Sequence, residues 1–168
     1  PAIVNGLGLN GPTVSLSTYL KAVSGSVYMT VSFTPVDVVP SDGRLVVTLV
    51  GAGFACGANT AVTFVSPAGA SGSVSISAEL VFTLQLSGGV FSAGGAVQFW
   101  FGGVTNPSSD QAQVSDLAAV TTSSTGVVVG GSVTGVLPAI VKGLGTLSVG
   151  LSNTVRQGTG IRMTVSFT

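Results

Sequence analysis

The sequence predicts an all-β fold arranged as an antiparallel β-sandwich. Val and Thr, which favour strands, number 29 and 18 among the 168 residues, and 25 Gly and 22 Ser supply the interruptions between strands. Short alternating segments with turn residues at close spacing are typical of a sandwich and not of a parallel α/β fold. We expect no helix, and the only ambiguous stretch is 116–120.

The first two strands show the clearest alternation. The first is predicted from residue 14 to residue 20, where Val14, Leu16, Thr18 and Leu20 alternate with hydroxyl or aromatic residues. In the second, four apolar residues occupy every other position: Val27, Met29, Val31 and Phe33. Successive side chains of a strand point to opposite faces, so this pattern predicts a strand with one face on a core.

Turn residues delimit the remaining elements. Pro35 ends the second strand, and Pro-Ser-Asp-Gly at 40–43 predicts a turn in which Pro40 fixes φ and Gly43 adopts a positive φ. Further strands are predicted at 44–50, 61–66, 73–77, 79–86, 96–101, 114–121, 127–129 and 133–141.

An internal duplication is the most informative feature of the sequence. Residues 1–8 read PAIVNGLG and 138–145 read PAIVKGLG, while MTVSFT occurs at both 29–34 and 163–168. Across 138–168, 17 of the 31 residues are identical to their counterparts. Because a repeat at a fixed period indicates a repeated structural unit, we predict one complete sandwich at 1–137. Residues 138–168 then begin the next repeat, as connector strands that duplicate 1–34.

Two arrangements account for the duplication, and both lead to a linear polymer of copies of this chain. In one, the chain is a window on a tandem array, and its terminal strands continue into a neighbouring unit. In the other, residues 138–168 complete the sheet of a neighbouring subunit by strand addition. The predicted assembly strands carry Val27, Met29, Val31, Phe33, Ile161, Met163, Val165 and Phe167.

Charge and residue type exclude several functions. The formal net charge is zero, and no cluster of basic residues exists to bind nucleic acid or an anionic membrane surface. No run of roughly 18 apolar residues predicts a membrane span. The chain has no His, so it lacks the usual general base and the commonest metal ligand. We therefore predict no enzyme activity, no cofactor and no metal, although Asp110 and Asp116 give a weak indication of a cation site.

The single Cys56 leaves three interpretations open. A lone cysteine cannot form a disulfide within the chain. It is interpreted as a buried small side chain, as a link to a neighbouring chain or as a reactive thiol.

A run of hydroxyl residues marks the candidate glycosylation sites. Thr121, Thr122, Ser123, Ser124 and Thr125 are consecutive. O-linked sugar would give water affinity to a surface with few charges, and unmodified hydroxyls are the alternative. The Asn-x-Ser sequence at 106–108 has Pro at its middle position, which prevents N-glycosylation.

Three segments carry a family resemblance: residues 30–35 (TVSFTP), 39–48 (VPSDGRLVVT) and 101–107 (FGGVTNP). Together they resemble a tandem sandwich repeat of very large secreted surface and fibre proteins. The resemblance implies an immunoglobulin-like architecture, tandem copies, an extracellular or cell-surface location and a filament or stalk that is often glycosylated.

The resulting hypothesis is a structural repeat of a self-assembling extracellular fibre, with covalent glycans as an added component. The alternative is an adhesin-stalk or carbohydrate-binding module of a cell-surface protein. That alternative needs aromatic platforms for sugar rings, and Tyr19, Tyr28 and Trp100 are the candidates.

Overall fold

The computed structural model describes residues 9–48, 53–77, 81–137, 139–142, 147–151 and 163–167. The chain is all-β, with no helix in these segments, as the composition predicts. The strands, in chain order, are β1 (Leu9–Leu16), β2 (Val27–Pro35), β3 (Arg44–Thr48), β4 (Thr60–Ala61), β5 (Thr63–Ser66), β6 (Ser71–Ser77), β7 (Val81–Gly88), β8 (Val97–Val104), β9 (Val114–Thr122), β10 (Val128–Leu137), β11 (Leu147–Leu151) and β12 (Met163–Phe167).

Two antiparallel sheets pack against each other as a β-sandwich. The larger sheet has the strand order β4-β6-β7-β3-β9-β10, and the smaller sheet has the order β1-β2-β8-β5. The sheets are joined along one side, where β1 pairs in parallel with β10 through Thr13 and Val136. The predicted sandwich is therefore confirmed, whereas an immunoglobulin-like connectivity and strands shared with a neighbouring unit stay predictions.

The strand directions define two ends of the sandwich. β1 begins at one end of the sandwich, where its first residue, Leu9, pairs with Pro35, the last residue of β2. We call this end proximal. Since β10 runs parallel to β1, it ends at the opposite, distal end. The loops 17–26 and 105–113 also lie at the distal end, where Val27 pairs with Val104. The chain thus enters β1 at one end and leaves β10 at the other.

One short segment forms the outer edges of both sheets. Thr60 and Ala61 pair with β6 at the edge of the larger sheet, whereas residues 63–66 pair with β8 at the edge of the smaller sheet. Val62 lies between them, and its N–H donates to Gly72 O at 3.4 Å. The predicted single strand at 61–66 is therefore two strands in different sheets. Very short edge strands offer little backbone for pairing with another chain.

The core fills the space between the sheets and is rich in phenylalanine. The alternation predicted for β2 is confirmed, because its odd-numbered residues from 27 to 35 are buried. The largest fully buried side chains are Phe54, Phe82, Phe91, Phe99, Phe101, Met29, Leu45, Leu84, Leu137 and Ile140. Burying several large side chains of this kind is the main favourable contribution to folding.

Besides the strand at 61–66, three details of the predicted secondary structure are wrong. β1 ends at Leu16, so the alternation predicted through Thr18 and Leu20 does not continue as part of this strand. The strands predicted at 127–129 and 133–141 are a single strand, β10, which continues through Gly130 and Gly131 with shifts in its pairing register. The turn at 40–43 is confirmed, because Gly43 N–H donates to Pro40 O at 2.8 Å. However, Gly43 is not among the residues with a positive φ. Glycine is needed there for space, since a Cβ would lie 2.6 Å from Val39 Cγ1.

Strands β11 and β12 form a separate antiparallel pair with the register of β1 and β2. Val149 pairs with Val165 and Leu151 with Met163. Their counterparts in the first copy pair in the same way, Val14 with Val31 and Leu16 with Met29. The duplicated sequence therefore forms the duplicated local structure.

Candidate assembly site

The chain leaves the sandwich through a cleft between the two distal loops. Residues 139–142 form this distal segment, and its central residues pair on both sides. On one side, Ile140 exchanges two backbone hydrogen bonds with Gln111, both at 2.9 Å. On the other side, Val141 N–H donates to Tyr19 O at 2.8 Å, and Lys21 N–H donates to Val141 O at 2.9 Å. The segment is thus the middle strand of a small three-stranded arrangement.

The side chains of the distal segment alternate between core and solvent. Ile140 is 0% exposed and belongs to the sandwich core, whereas Val141 is 48% exposed. Leu20, which pairs in parallel with Val141, is also exposed. Ile140 lies after the repeat boundary predicted between residues 137 and 138. The core of the first sandwich therefore includes a residue of the segment in which the repeated sequence begins again.

Asn106 holds the two distal loops together. Its side chain is buried, and Nδ2 donates to Thr18 O at 2.9 Å and to Leu20 O at 2.8 Å. Its backbone N–H donates to Val23 O at 2.9 Å. Buried carbonyl groups require donors, so one asparagine satisfies the main chain of loop 17–26 where the loop cannot form a regular ladder.

A backbone bond and an ion pair add to this connection. Ala22 N–H donates to Pro107 O at 2.8 Å, and Ala22 adopts a φ of 60°. Lys21 Nζ lies 2.9 Å from Asp110 Oδ1, so the ion pair joins Lys21, which also bonds Val141 O, to the residue that precedes Gln111. Both side chains have access to solvent, and such pairs contribute at most about 1 kcal/mol. Backbone pairing and the burial of Ile140 therefore dominate the hold on the segment.

The predicted assembly residues of the first copy are core residues of their own sandwich. Val27, Met29, Val31 and Phe33 are buried in β2, which is an interior strand between β1 and β8. In this chain their side chains pack inside the sandwich and their strand pairs on both sides, and their role as assembly strands stays a prediction.

In the second copy, three of the four predicted assembly residues lie within the described part of the chain. Met163, Val165 and Phe167 lie in β12 and pair with β11. Ile161 lies outside the described residues.

The hydroxyl run divides into a buried and an accessible part. Thr121 faces the core from β9 and is 1% exposed, so its hydroxyl is not accessible for a sugar in the folded protein. Thr122 ends β9 and is half-buried. Ser124 and Thr125 are exposed in the turn between β9 and β10, and the Thr125 hydroxyl lies 2.9 Å from the half-buried Ser123 hydroxyl. The five residues therefore differ in their suitability for glycosylation.

Cys56 is half-buried beside the core and takes part in no disulfide. Burial raises the pKa of its thiol, and hydrogen bonds involving the Ile76 backbone and the Thr60 side chain oppose that rise. A thiol with a raised pKa carries little thiolate at neutral pH and reacts slowly.

No metal-binding cluster is found in the described part of the chain. Among these residues, no group of three or more Cys, Asp or Glu side chains comes close enough to hold a metal ion. Asp110 pairs with Lys21, and the side chain of Asp116 is not described.

Two of the candidate aromatic residues meet on the outer face of the smaller sheet. Tyr28 and Trp100 are 51% and 36% exposed, and their rings form an edge-to-face pair with centroids 5.4 Å apart. Gly102 makes room for the tyrosine, since a Cβ there would lie 3.0 Å from Tyr28 Cε1. Tyr19 packs against the core instead, and its hydroxyl accepts a bond from Leu16 N–H.

A groove with a volume of about 410 Å³ lies at the proximal end. Three of its polar side chains have partners: Gln98 Nε2 donates to Ser32 Oγ, and Ser66 Oγ donates to Ala96 O. None of the lining side chains is charged: Ser32, Phe33, Thr34, Ser66, Ala96, Val97 and Gln98.

The sequence missed Asn106, Gln111 and Ile140 as the residues that form the distal cleft. For Ile140 the signal was the duplication of residues 1–4 at 138–141, which indicated a repeat but not where the second copy packs. Asn106 and Gln111 lie outside the duplicated segments, so the repeat did not mark them.

Comparisons with known protein families and with curated proteins found no match. None of the described segments forms a helix that is long and apolar enough to cross a membrane.

Proposed function

We propose that this chain is a structural unit of a tandem β-sandwich array in an extracellular fibre. The observation that carries the proposal is the repeated β1–β2 pairing in β11 and β12, in the same register. In the first copy, β1 and β2 lie between β10 and β8. The second pair has no equivalent neighbours among the described strands, and an isolated two-stranded sheet is only marginally stable. Its natural partners are the remaining strands of a second repeat.

The direction of the chain supports an end-to-end arrangement. The chain enters β1 at the proximal end and leaves β10 at the distal end, so a following unit starts where the preceding one finishes. Successive units can therefore follow one another in a line, because the chain does not have to run back along the sandwich before the next unit begins. β10 alone has 10 residues, so each repeat adds about 30–40 Å at the usual rise per residue.

The sheet edges favour covalent tandem linkage over strand addition to the first sandwich. The outer edges of the two sheets are β4 and β5, which have two and four residues. An added strand gains its affinity from a row of backbone hydrogen bonds, and such short edges provide few of them. The units are therefore joined through the chain itself.

The amino-acid composition supports a protein that associates with its own copies and is hydrated by attached sugar. A net charge of zero gives little electrostatic protection against association, which suits a protein that assembles. O-linked sugar at the exposed Ser124 and Thr125 would supply the hydration that charged residues provide elsewhere.

Scattering from engineered arrays tests the proposal. A two-repeat chain consists of residues 1–137 followed directly by residues 1–168, and a three-repeat chain adds another 1–137. We expect the maximum dimension from small-angle X-ray scattering to rise by about 30–40 Å with each repeat. A compact particle whose maximum dimension does not grow with repeat number would contradict the fibre. For the native material, the mass measured under denaturing conditions should be many times 16.4 kDa.

A carbohydrate-binding module is the second candidate, and the exposed pair of Tyr28 and Trp100 favours it. Sugar rings stack on aromatic faces, and the neighbouring Thr30 and Thr63, which pair with Trp100, would supply hydroxyls. The second copy has Arg162 at the position of Tyr28, so the pair is not a repeated feature. Glycan-array binding by the wild-type chain that is lost in Trp100→Ala would favour this function over the fibre.

A further inference from the structure

We propose that residues 2–4 are a docking segment for the distal cleft of a preceding copy of this repeat. In that copy they would take the place that residues 139–141 take here. The inference rests on the proposed tandem arrangement and adds the location and chemistry of the junction between units. Its partner is a second copy of this chain, and its surface is the cleft formed by loops 17–26 and 105–113.

Sequence identity between the two segments carries the first step. Residues 1–8 and 138–145 differ at one position, where Asn5 corresponds to Lys142. Lys142 is exposed, so the differing side chain lies outside the cleft. The buried position is identical, because Ile3 corresponds to Ile140.

The nature of the contacts carries the second step. Four backbone hydrogen bonds hold Ile140 and Val141 against Gln111, Tyr19 and Lys21. Any segment without proline at these two positions can make those bonds, and an Ile side chain of the right size fills the core position. Residues 3 and 4 meet both requirements.

The proposed junction is a packed contact between successive units and not a flexible linker. The first residues of each repeat complete the core of the unit before it, so each sandwich is finished by its successor. The preceding unit supplies the cleft, and the segment continues into β1 of its own unit within a few residues. This arrangement fixes the spacing of successive units.

Hydrogen exchange in the two-repeat chain described above tests the inference. The amide signals to follow by NMR are those of Ile3 and Val4 at the internal junction and of Lys21 and Gln111 in the first copy. We expect these four amides to exchange on the order of 100-fold or more slowly than unstructured peptide, at rates close to those of their counterparts at the second distal cleft. Exchange of Ile3 and Val4 at the rate of unstructured peptide would overturn the inference, whether or not the second cleft is protected.

Two junction variants provide the matched comparison. Ile3→Ser in the second copy removes the buried side chain, and we expect it to accelerate exchange at Lys21 and Gln111 of the first copy. Val4→Ala at the same junction replaces a residue whose counterpart is exposed and should leave those rates close to wild type. Equal effects of the two variants would contradict docking. Small-angle scattering distinguishes failure of this inference from failure of the proposed function. If the particle is extended but the junction amides are unprotected, the fibre proposal stands and only the docking segment is refuted.

Discussion

Phe82 of β7 and Phe101 of β8 stack across the sandwich, with ring centroids 5.4 Å apart and planes 5° from parallel. One ring belongs to the larger sheet and the other to the smaller sheet. Both side chains are fully buried, and the Phe82 ring also stacks with the ring of Phe99. This contact joins the two layers in the centre of the core.

The first prediction concerns this contact. Phe82→Ala should lower the free energy of unfolding by about 3–5 kcal/mol, because it removes a large buried side chain and leaves a cavity. Urea denaturation followed by circular dichroism measures the change. Tyr28→Ala, which truncates an exposed aromatic residue, is the matched control and should cost much less. Similar losses for the two variants would show that the stack does not hold the layers together.

The second prediction concerns the distal segment. Ile140→Ala should destabilise the sandwich by about 2–5 kcal/mol, since Ile140 is part of its core. Val141→Ala should change stability by about 0.5 kcal/mol or less, because Val141 is exposed. Both values come from denaturant unfolding of the full chain. A neutral Ile140→Ala variant would mean that the segment does not contribute to the first sandwich.

The third prediction concerns Asn106. Asn106→Ala removes the donor to Thr18 O and Leu20 O, and the loss of each of these partly buried hydrogen bonds should cost about 0.5–1.5 kcal/mol. Faster amide exchange at Lys21 and Val141 should accompany this loss, because loop 17–26 is released. Ser108→Ala, an exposed change in the same loop, is the control. Unchanged exchange in Asn106→Ala would be incompatible with the positioning role.

The fourth prediction concerns the Cys56 thiol. Because burial raises its pKa, alkylation by iodoacetamide should be slower than for an unstructured cysteine and should increase with pH up to a higher midpoint. The raised pKa of Cys56 also makes the free energy of unfolding depend on pH. The folded state keeps the proton that the unfolded state loses, so the free energy of unfolding falls as pH rises from the ordinary thiol pKa to the folded value. Cys56→Ala should abolish this part of the pH dependence, and a pH dependence identical to wild type would argue against its origin in Cys56.

The fifth prediction concerns the hydroxyl run. In native material, glycopeptide mass spectrometry should find hexose at Ser124 or Thr125 and none at Thr121. The reason is accessibility, since Thr121 lies in the core and the other two lie in an exposed turn. Sugar at Thr121 would contradict the burial of that residue, and bare hydroxyls throughout would remove the glycan component of the proposal.

The sequence by itself determined the local features of this protein. The alternation from Val27 to Phe33 predicted β2 and its buried face, because a strand exposes successive side chains to opposite sides. The turn at 40–43 followed from Pro and Gly for a similar local reason, although the need for Gly43 arose from contact with Val39. The duplication also predicted that 138–168 would form strands like those of 1–34, and β11 and β12 pair as β1 and β2 do.

Only the tertiary structure decided which residues pack together. Ile140 belongs to the first sandwich because loops at 17–26 and 105–113 meet around it, and no local pattern encodes that meeting. The change of sheet at Val62 and the burial of Thr121 depend likewise on pairing between distant segments. Local preference acts over a few residues, whereas burial is set by surfaces that the whole chain brings together.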